Sequence, residues 1–260
     1  IKEYASLDNR MIYEQTGVST YQRIGVSYAS LGKFEAAIEF LEKALEIEYD
    51  DTVAFELATI LYDQKEYQKA NLYFKQIDTI SQDFEGYEYG YALSLHAEHQ
   101  TEEALRLTQQ GLSKNPFDTR LLLLASQLSY ELHDEQKAEE YLLQAQENAE
   151  DEEEIVLRLT NLYVQQERFD EVLAFEERDV DNVLTKWNIA RAYQALEHTT
   201  AALERYSLLL SDLQENPEFL EQYIYLLREM GDFEEAKHEA EHYLHLVPDD
   251  VEMQELYNSL

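Results

Sequence analysis

The 260-residue chain contains no cysteine. That excludes disulfides, thiol nucleophiles and Cys-ligated zinc or iron–sulfur centres, and it fits a reducing compartment such as the cytoplasm. Glycine and proline are scarce, at seven and three. The scarcity argues against a turn-rich all-β protein, a collagen or a flexible linker, and favours long helices joined by short turns. Basic residues are few: 20 Lys+Arg stand against 55 Asp+Glu, for a net charge of −35. Such a field repels bare nucleic acid and anionic membrane surfaces, so neither is an expected partner. No apolar run approaches the ~20 residues of a membrane helix; the longest is near Leu121 to Ala125. No signal peptide is visible, and the start at Ile1 reads as a trimmed N-terminus with further sequence upstream.

What is present is a substantial apolar fraction. Hydrophobic residues make up 45% of the chain and tyrosine alone numbers 20, too much for a disordered acidic tail. The apolar residues are organised by an internal repeat. A small residue recurs at Ala37, Ala70, Ala104, Ala138, Val172, Ala202 and Ala236, with steps of 33, 34, 34, 34, 30 and 34. In the first repeat Tyr21, Ile24, Gly25 and Tyr28 precede Gly32-Lys33-Phe34, and Ala37, Leu41 and Ala44 come after it. Spacings of three and four mark amphipathic helices, and the Gly32 region separates two of them. The last repeat has Leu227, Gly231-Asp232-Phe233, Ala236, Tyr243 and Pro248-Asp249-Asp250. At Asn115-Pro116-Phe117-Asp118 the proline stops a helix and Asp118 is placed to cap the next one.

These residues resemble the tetratricopeptide-repeat (TPR) family, over residues ~18 to ~250. The resemblance also suits the acidic, Cys-free TPR arrays of bacteria. It implies an all-α, right-handed superhelical solenoid of about seven helix–turn–helix units with capping helices. The units are expected at about 18–50, 51–84, 85–118, 119–152, 153–182, 183–216 and 217–250. Residues 1–17, with Tyr4, Leu7, Met11 and Ile12, read as the second helix of an incomplete leading unit, and 251–260 as a C-terminal capping helix. Small residues (Gly25, Ala58, Ala190) should let paired helices approach, and Phe34, Tyr67, Phe169 and Phe233 should fill the gaps between units. The fifth unit departs from the pattern. Val172 replaces the alanine, Glu176 the large apolar residue and Asp179 the second small one, and the next step is four residues short. A shortened second helix is expected there, with a changed path near Arg178 to Asn182.

The resemblance places groove side chains at the fifth, ninth and twelfth positions of each unit. In chain order these are Gln22, Val26 and Ala29; Phe55, Thr59 and Tyr62; Tyr89, Leu93 and His96; and Leu123, Gln127 and Tyr130. Then come Leu157, Asn161 and Val164; Trp187, Arg191 and Gln194; and Glu221, Tyr225 and Arg228. Trp, Tyr and Arg are the usual anchors of interfaces, so the set reads as a groove for a partner peptide or protein. The other reading of each ring is packing between neighbouring first helices, and Leu123 and Leu157 fit that reading better. Chaperone-adaptor TPRs clamp acidic tails with lysines, an arginine and asparagines. Only Asn161 and Arg191 agree here and both lysines are missing, so the expected partner is apolar or basic.

His238, His242 and His245 share roughly one helix face, a weak metal candidate whose plainer reading is an exposed polar surface. The run from Glu150 to Glu154 precedes a helix, where negative charge suits the positive helix end without any calcium. There is no GxGxxG, phosphate loop, GxSxG or HExxH. No cofactor is expected. The chain therefore reads as a non-enzymatic scaffold or adaptor that binds protein, with self-association as a further route. The alternative is a regulatory or targeting TPR module of a larger enzyme whose catalytic part lies outside this chain.

Overall fold

The computed structural model describes residues 20–79, 84–149, 153–178 and 181–260. Every regular element among them is a helix, and none is long and apolar enough to cross a membrane. The reading of residues 1–17, the acidic residues 150–152 and Asp179 all lie outside the described residues.

Fifteen helices are described. They are α1 (Thr20–Ser30), α2 (Phe34–Ile47), α3 (Asp51–Asp63), α4 (Tyr67–Phe74), α5 (Tyr87–Ala97), α6 (Thr101–Lys114) and α7 (Thr119–Glu131). After them come α8 (Glu135–Asn148), α9 (Glu153–Gln165), α10 (Phe169–Leu173), α11 (Val183–Ala195) and α12 (Thr199–Leu213). The last three are α13 (Pro217–Met230), α14 (Phe233–Leu246) and α15 (Val251–Ser259). The chain forms two compact units, Ile1–Tyr141 and Leu142–Leu260, and the division falls within α8. In the first, consecutive helices from α1 to α7 pack on one another; in the second, those from α9 to α15 do.

Each turn between the two helices of a repeat is built the same way. Its central residue is left-handed: Gly32, Lys65, His99, His133, Glu167, Glu197 and Gly231 all have φ between 56° and 81°. Each lies five residues before the small residue of the repeat. Around Gly231, its own N–H donates to the Arg228 carbonyl (3.1 Å) and the Asp232 N–H to the Leu227 carbonyl (2.9 Å). The same pair of bonds recurs at the other six turns, from Lys33 onto Tyr28 through His198 onto Tyr193. This closes the last carbonyls of the first helix and aims the chain back along it.

Five of the opposite turns, between repeats, are fixed by side-chain caps, while Gly86 stands at the start of α5. Asp50, Asp118, Asn182, Asn216 and Asp250 each accept from backbone N–H groups in the first turn of the next helix, at 2.8–3.4 Å. Such caps satisfy donors that a helix start leaves orphaned.

The cores obey the sequence periodicity. In the first unit Leu41, Leu57, Leu61, Phe74, Leu95 and Leu128 are buried. A Cβ on Gly25 would come within 2.7 Å of Leu41, so glycine there sets the close approach of α1 and α2. In the second unit Tyr206, Phe219, Leu220, Ile224 and Leu227 fill the interior, and α15 adds Met253 and Leu256. Phe233, expected to fill a gap between repeats, instead lies exposed at the start of α14. Two second helices are short. Against 14 residues in α2, α6 and α14, α10 has five and α4 eight.

Candidate interaction surface on the first helices

The expected groove residues lie on α1, α3, α5 and α7 in the first unit and on α9, α11 and α13 in the second. Their surroundings divide them into three kinds.

The first kind is half-buried aromatic and apolar. Phe55 meets the rings of Phe84 (centroids 5.5 Å apart) and Phe74 (6.1 Å), and Tyr62 meets Tyr67 (5.6 Å). Tyr89 and Leu93 pack against the same core, with the Arg120 guanidinium 5.5 Å above the Tyr89 ring. Burial pushes the Tyr62 phenol upward, so it stays neutral at physiological pH. These residues present an edge to solvent and give the rest of their area to packing.

The second kind is polar and hydrogen-bonded to other side chains, across repeats for Gln22, His96 and Asn161 and within their own repeat for Gln127 and Gln194. His96 Nε2 lies 2.7 Å from Glu131 Oε2, and Gln127 donates to the other oxygen of Glu131 (3.2 Å). Gln22 donates to Glu56 (3.1 Å). Burial raises the Glu56 carboxyl, and the Gln22 bond pulls the other way. Asn161 accepts from Asn188 (2.7 Å), and Gln194 accepts from the Tyr206 hydroxyl (2.9 Å). Glu56, Glu131 and Gln222 were not among the expected site residues. Each lies 34 or 35 residues after its donor, so a polar pair separated by one repeat plus one residue is the signal that finds them.

The third kind is exposed. Thr59 and Tyr130 face solvent, as do Tyr225 and Arg228 on α13, and Asn161 is exposed beside its bond from Asn188. Tyr130 is 42% and Tyr225 36% exposed. Burial of its inner edge raises the Tyr225 phenol, and the carboxylates of Glu221, Glu252 and Asp250 push it the same way. An aromatic ring set among carboxylates suits a cationic or apolar visitor.

Trp187 departs from the expectation of an open stacking ring. It is 7% exposed and meets Phe219 edge-on at 5.9 Å. Its indole N–H donates to Gln222 Oε1 at 3.0 Å, and Arg191 covers it at 5.6 Å. The next repeat supplies both an aromatic wall and an acceptor, so the indole is core. Leu123 and Leu157 are half-buried.

His238, His242 and His245 do not converge. His238 and His245 are exposed, and His242 Nε2 hydrogen-bonds the Gln214 carbonyl at 3.0 Å. Among the described residues no group of three or more His, Asp and Glu has metal-holding geometry.

Known proteins share both the repeat pattern and the helix arrangement. A family model described as a tetratricopeptide repeat matches residues 18–51, and one described as YpiA-like, C-terminal tetratricopeptide repeats matches residues 184–250. The TPR repeat-containing protein YpiA of Bacillus subtilis is 24% identical over 224 residues, which cover 85% of this chain and 53% of that protein. The chain thus spans about half the length of this curated relative. The C-terminal part of a TPR repeat-containing protein from Cytophaga hutchinsonii superposes with a TM-score of 0.75 at 15% identity, covering 90% of this chain and 98% of that one. The Cut9–Hcn1 hetero-tetramer gives 0.53 at 14% identity, covering 96% and 51%. The chain thus carries tetratricopeptide repeats at residues 18–51 and 184–250, and its all-helical fold is that of tetratricopeptide-repeat solenoids.

Proposed function

We propose that the chain is a non-enzymatic, cytoplasmic scaffold that holds a segment of a partner protein against its first helices. The observation that carries this reading is the surface left open there. Thr59, Tyr130, Asn161, Tyr225 and Arg228 stay exposed on the first helices. Fold alone names no partner, so the chemistry of these side chains carries the weight. In the first unit Tyr130, with the edges of Tyr62 and Tyr89, and in the second unit Tyr225 offer flat apolar area at small entropic cost. Engaging several such rings, at about 1.5–3 kcal/mol for each fully buried one, supports micromolar binding after the costs of association.

The partner is basic or apolar. The net charge of −35 and the carboxylates around Tyr225 attract cations and speed their encounter. Association with a basic partner therefore weakens as salt is raised. The Cut9–Hcn1 relative is itself part of a hetero-tetramer, which is the mode of action proposed for this chain.

The test is affinity capture from native lysate at low and high salt, with the wild-type chain and a Tyr130→Ala/Tyr225→Ala variant. The reading predicts a captured protein that the variant loses by about tenfold or more, with helical content intact. Equal capture by both chains overturns the assignment of this surface.

A further inference from the structure

The outer face of α1 is buried although no described helix stands in front of it. In later repeats the third and seventh positions of a first helix rest on the second helix of the repeat before. Tyr87 and Tyr91 of α5 meet Phe74 of α4 at 6.1 and 5.3 Å, and Phe219 and Tyr223 of α13 meet Tyr206 of α12 at 5.4 and 6.1 Å. The same positions of the first repeat are Thr20 and Ile24, and each is 2% exposed. Residues so enclosed have neighbours on every side. Helix α2 closes the side that carries Gly25. The adjoining residues 1–19 are left to close the other.

Register picks out the side chains. Phe74 and Tyr206 each lie 13 and 17 residues before the two rings they meet. Counting back 13 from Thr20 and 17 from Ile24 reaches Leu7 both times. Leu7 also stands 34 residues before the buried Leu41. Tyr4 and Met11 stand 34 before Ile38 and Leu45, which pack against the same core. Tyr4, Leu7 and Met11 are spaced three and four apart, as one face of a helix requires. The same count sets Glu3 and Arg10 in the places of Ala37 and Ala44. Both alanines are buried, Ala37 against α1 beside Gly25. Charged residues in their place suit a side turned to water.

We propose that residues 1–17 of the same chain dock on the outer face of α1 as a cap, with Leu7 seated on Thr20 and Ile24, Tyr4 and Met11 flanking it, and Glu3 and Arg10 facing solvent. The cap does for the first unit what α15 does for the second. There Met253 and Leu256 are buried, while Glu252, Gln254, Glu255 and Asn258 are exposed. A stack of repeats needs such polar-faced ends, because its terminal apolar face otherwise meets water or another copy. This contact is separate from the first-helix surface and does not depend on its having a partner.

The test is amide hydrogen exchange on the full chain, comparing wild type with Leu7→Asp, Leu7→Phe and Arg10→Asp. Leu7→Asp should speed exchange at Ile24 and Gly25 by about tenfold or more, with α13 of the second unit unchanged. Leu7→Phe, which places there the residue type of Phe74, should keep α1 protected. Arg10→Asp should leave α1 as it is in the wild type. Unchanged exchange of α1 in Leu7→Asp overturns the proposal. Equal loss in Arg10→Asp or in Leu7→Phe also overturns it, since the contact would then not follow the register. Wild-type protection of α1 that rises with protein concentration assigns the cover to a second copy and likewise sinks the intramolecular cap.

Discussion

The repeats starting at Glu153 and at Pro217 share a first helix and a turn but differ in their second helices. Glu167 and Gly231 hold the same left-handed turn, with φ of 56° and 81°, and carry the same pair of backbone bonds. Beyond it α14 runs 14 residues and buries Ala236, Ala240 and Tyr243, while α10 runs five and buries Val172. The difference is one of burial rather than propensity. Glu176 falls where the last repeat has the buried Ala240, and a carboxylate enters a core only with partners. Arg205 and Tyr193 supply them from the side, and they hold the Glu176 carboxyl below its usual range although burial acts in the opposite sense. The first helices then meet directly. α9 packs on α11, and Asn188 reaches Thr160 (3.1 Å) as well as Asn161. The turn and the first helix are thus local properties of a repeat, while the second helix exists only as far as its neighbour gives it something to bury.

The largest expected effect separates the two repeats most sharply. Phe219 is fully buried among Trp187, Tyr206 and Tyr223, so Phe219→Ala should cost about 3–5 kcal/mol in denaturant unfolding. Leu173→Ala, on the half-exposed end of α10, should cost under about 1 kcal/mol. Equal losses would erase the distinction between the two repeats. Next comes Glu176→Ala, which strips Arg205 and the Tyr193 hydroxyl of their acceptor. We expect a loss of about 1–2 kcal/mol, at the lower end of such effects because these groups are partly solvated. Glu176→Ala combined with Arg205→Ala should recover part of it. The turns give a smaller pair of opposite sign. Gly231→Ala should cost about 1 kcal/mol, and Glu167→Gly should add about 0.5–1 kcal/mol, since only glycine enters this backbone region freely.

The smallest effect is a pH dependence carried by Glu239, buried on α14. Burial raises its carboxyl, against the pull of His238 and His242. Between the unfolded value of ~4.3 and that raised value, the folded chain keeps a proton the unfolded chain has lost. Stability therefore falls as pH rises through that window and is level above it. Glu239→Gln should remove this slope and raise stability at pH 7, read as Tm between pH 4.5 and 7. Asp250 runs the other way. The Met253 N–H and the Tyr243 hydroxyl lower its carboxyl, so its contribution is complete above about pH 3.9 and disappears on acidification below that.

Much of the fold is legible because the small-residue series repeats a local pattern: Ala37, Ala70, Ala104, Ala138, Ala202 and Ala236 are all buried. The left-handed turns are less so. Gly32 and Gly231 announce themselves, but Lys65, His99, His133, Glu167 and Glu197 do the same work with residues that carry no such signal. The hydrogen-bonded frame on either side imposes the conformation. The short α4 is not legible either. Phe74 and Ile77 continue the apolar pattern and are buried, yet the helix ends at Phe74. On the candidate surface, position within the repeat does not by itself give exposure: Tyr130 is 42% exposed, whereas Val164 at the same position is buried. The fate of Trp187 is likewise not legible, because its ring is claimed by Phe219 and Gln222, more than 30 residues further on. A side chain's surroundings in such an array belong half to the next repeat.

The most direct test of the account is site-specific photo-crosslinking in native lysate, with p-benzoyl-phenylalanine placed at Tyr130, at Tyr225, and at the exposed second-helix positions Leu72 and Leu208. The account predicts a discrete crosslinked protein from Tyr130 and Tyr225, diminished at high salt, and none from Leu72 or Leu208. Crosslinks to a partner from the second-helix positions alone would contradict it.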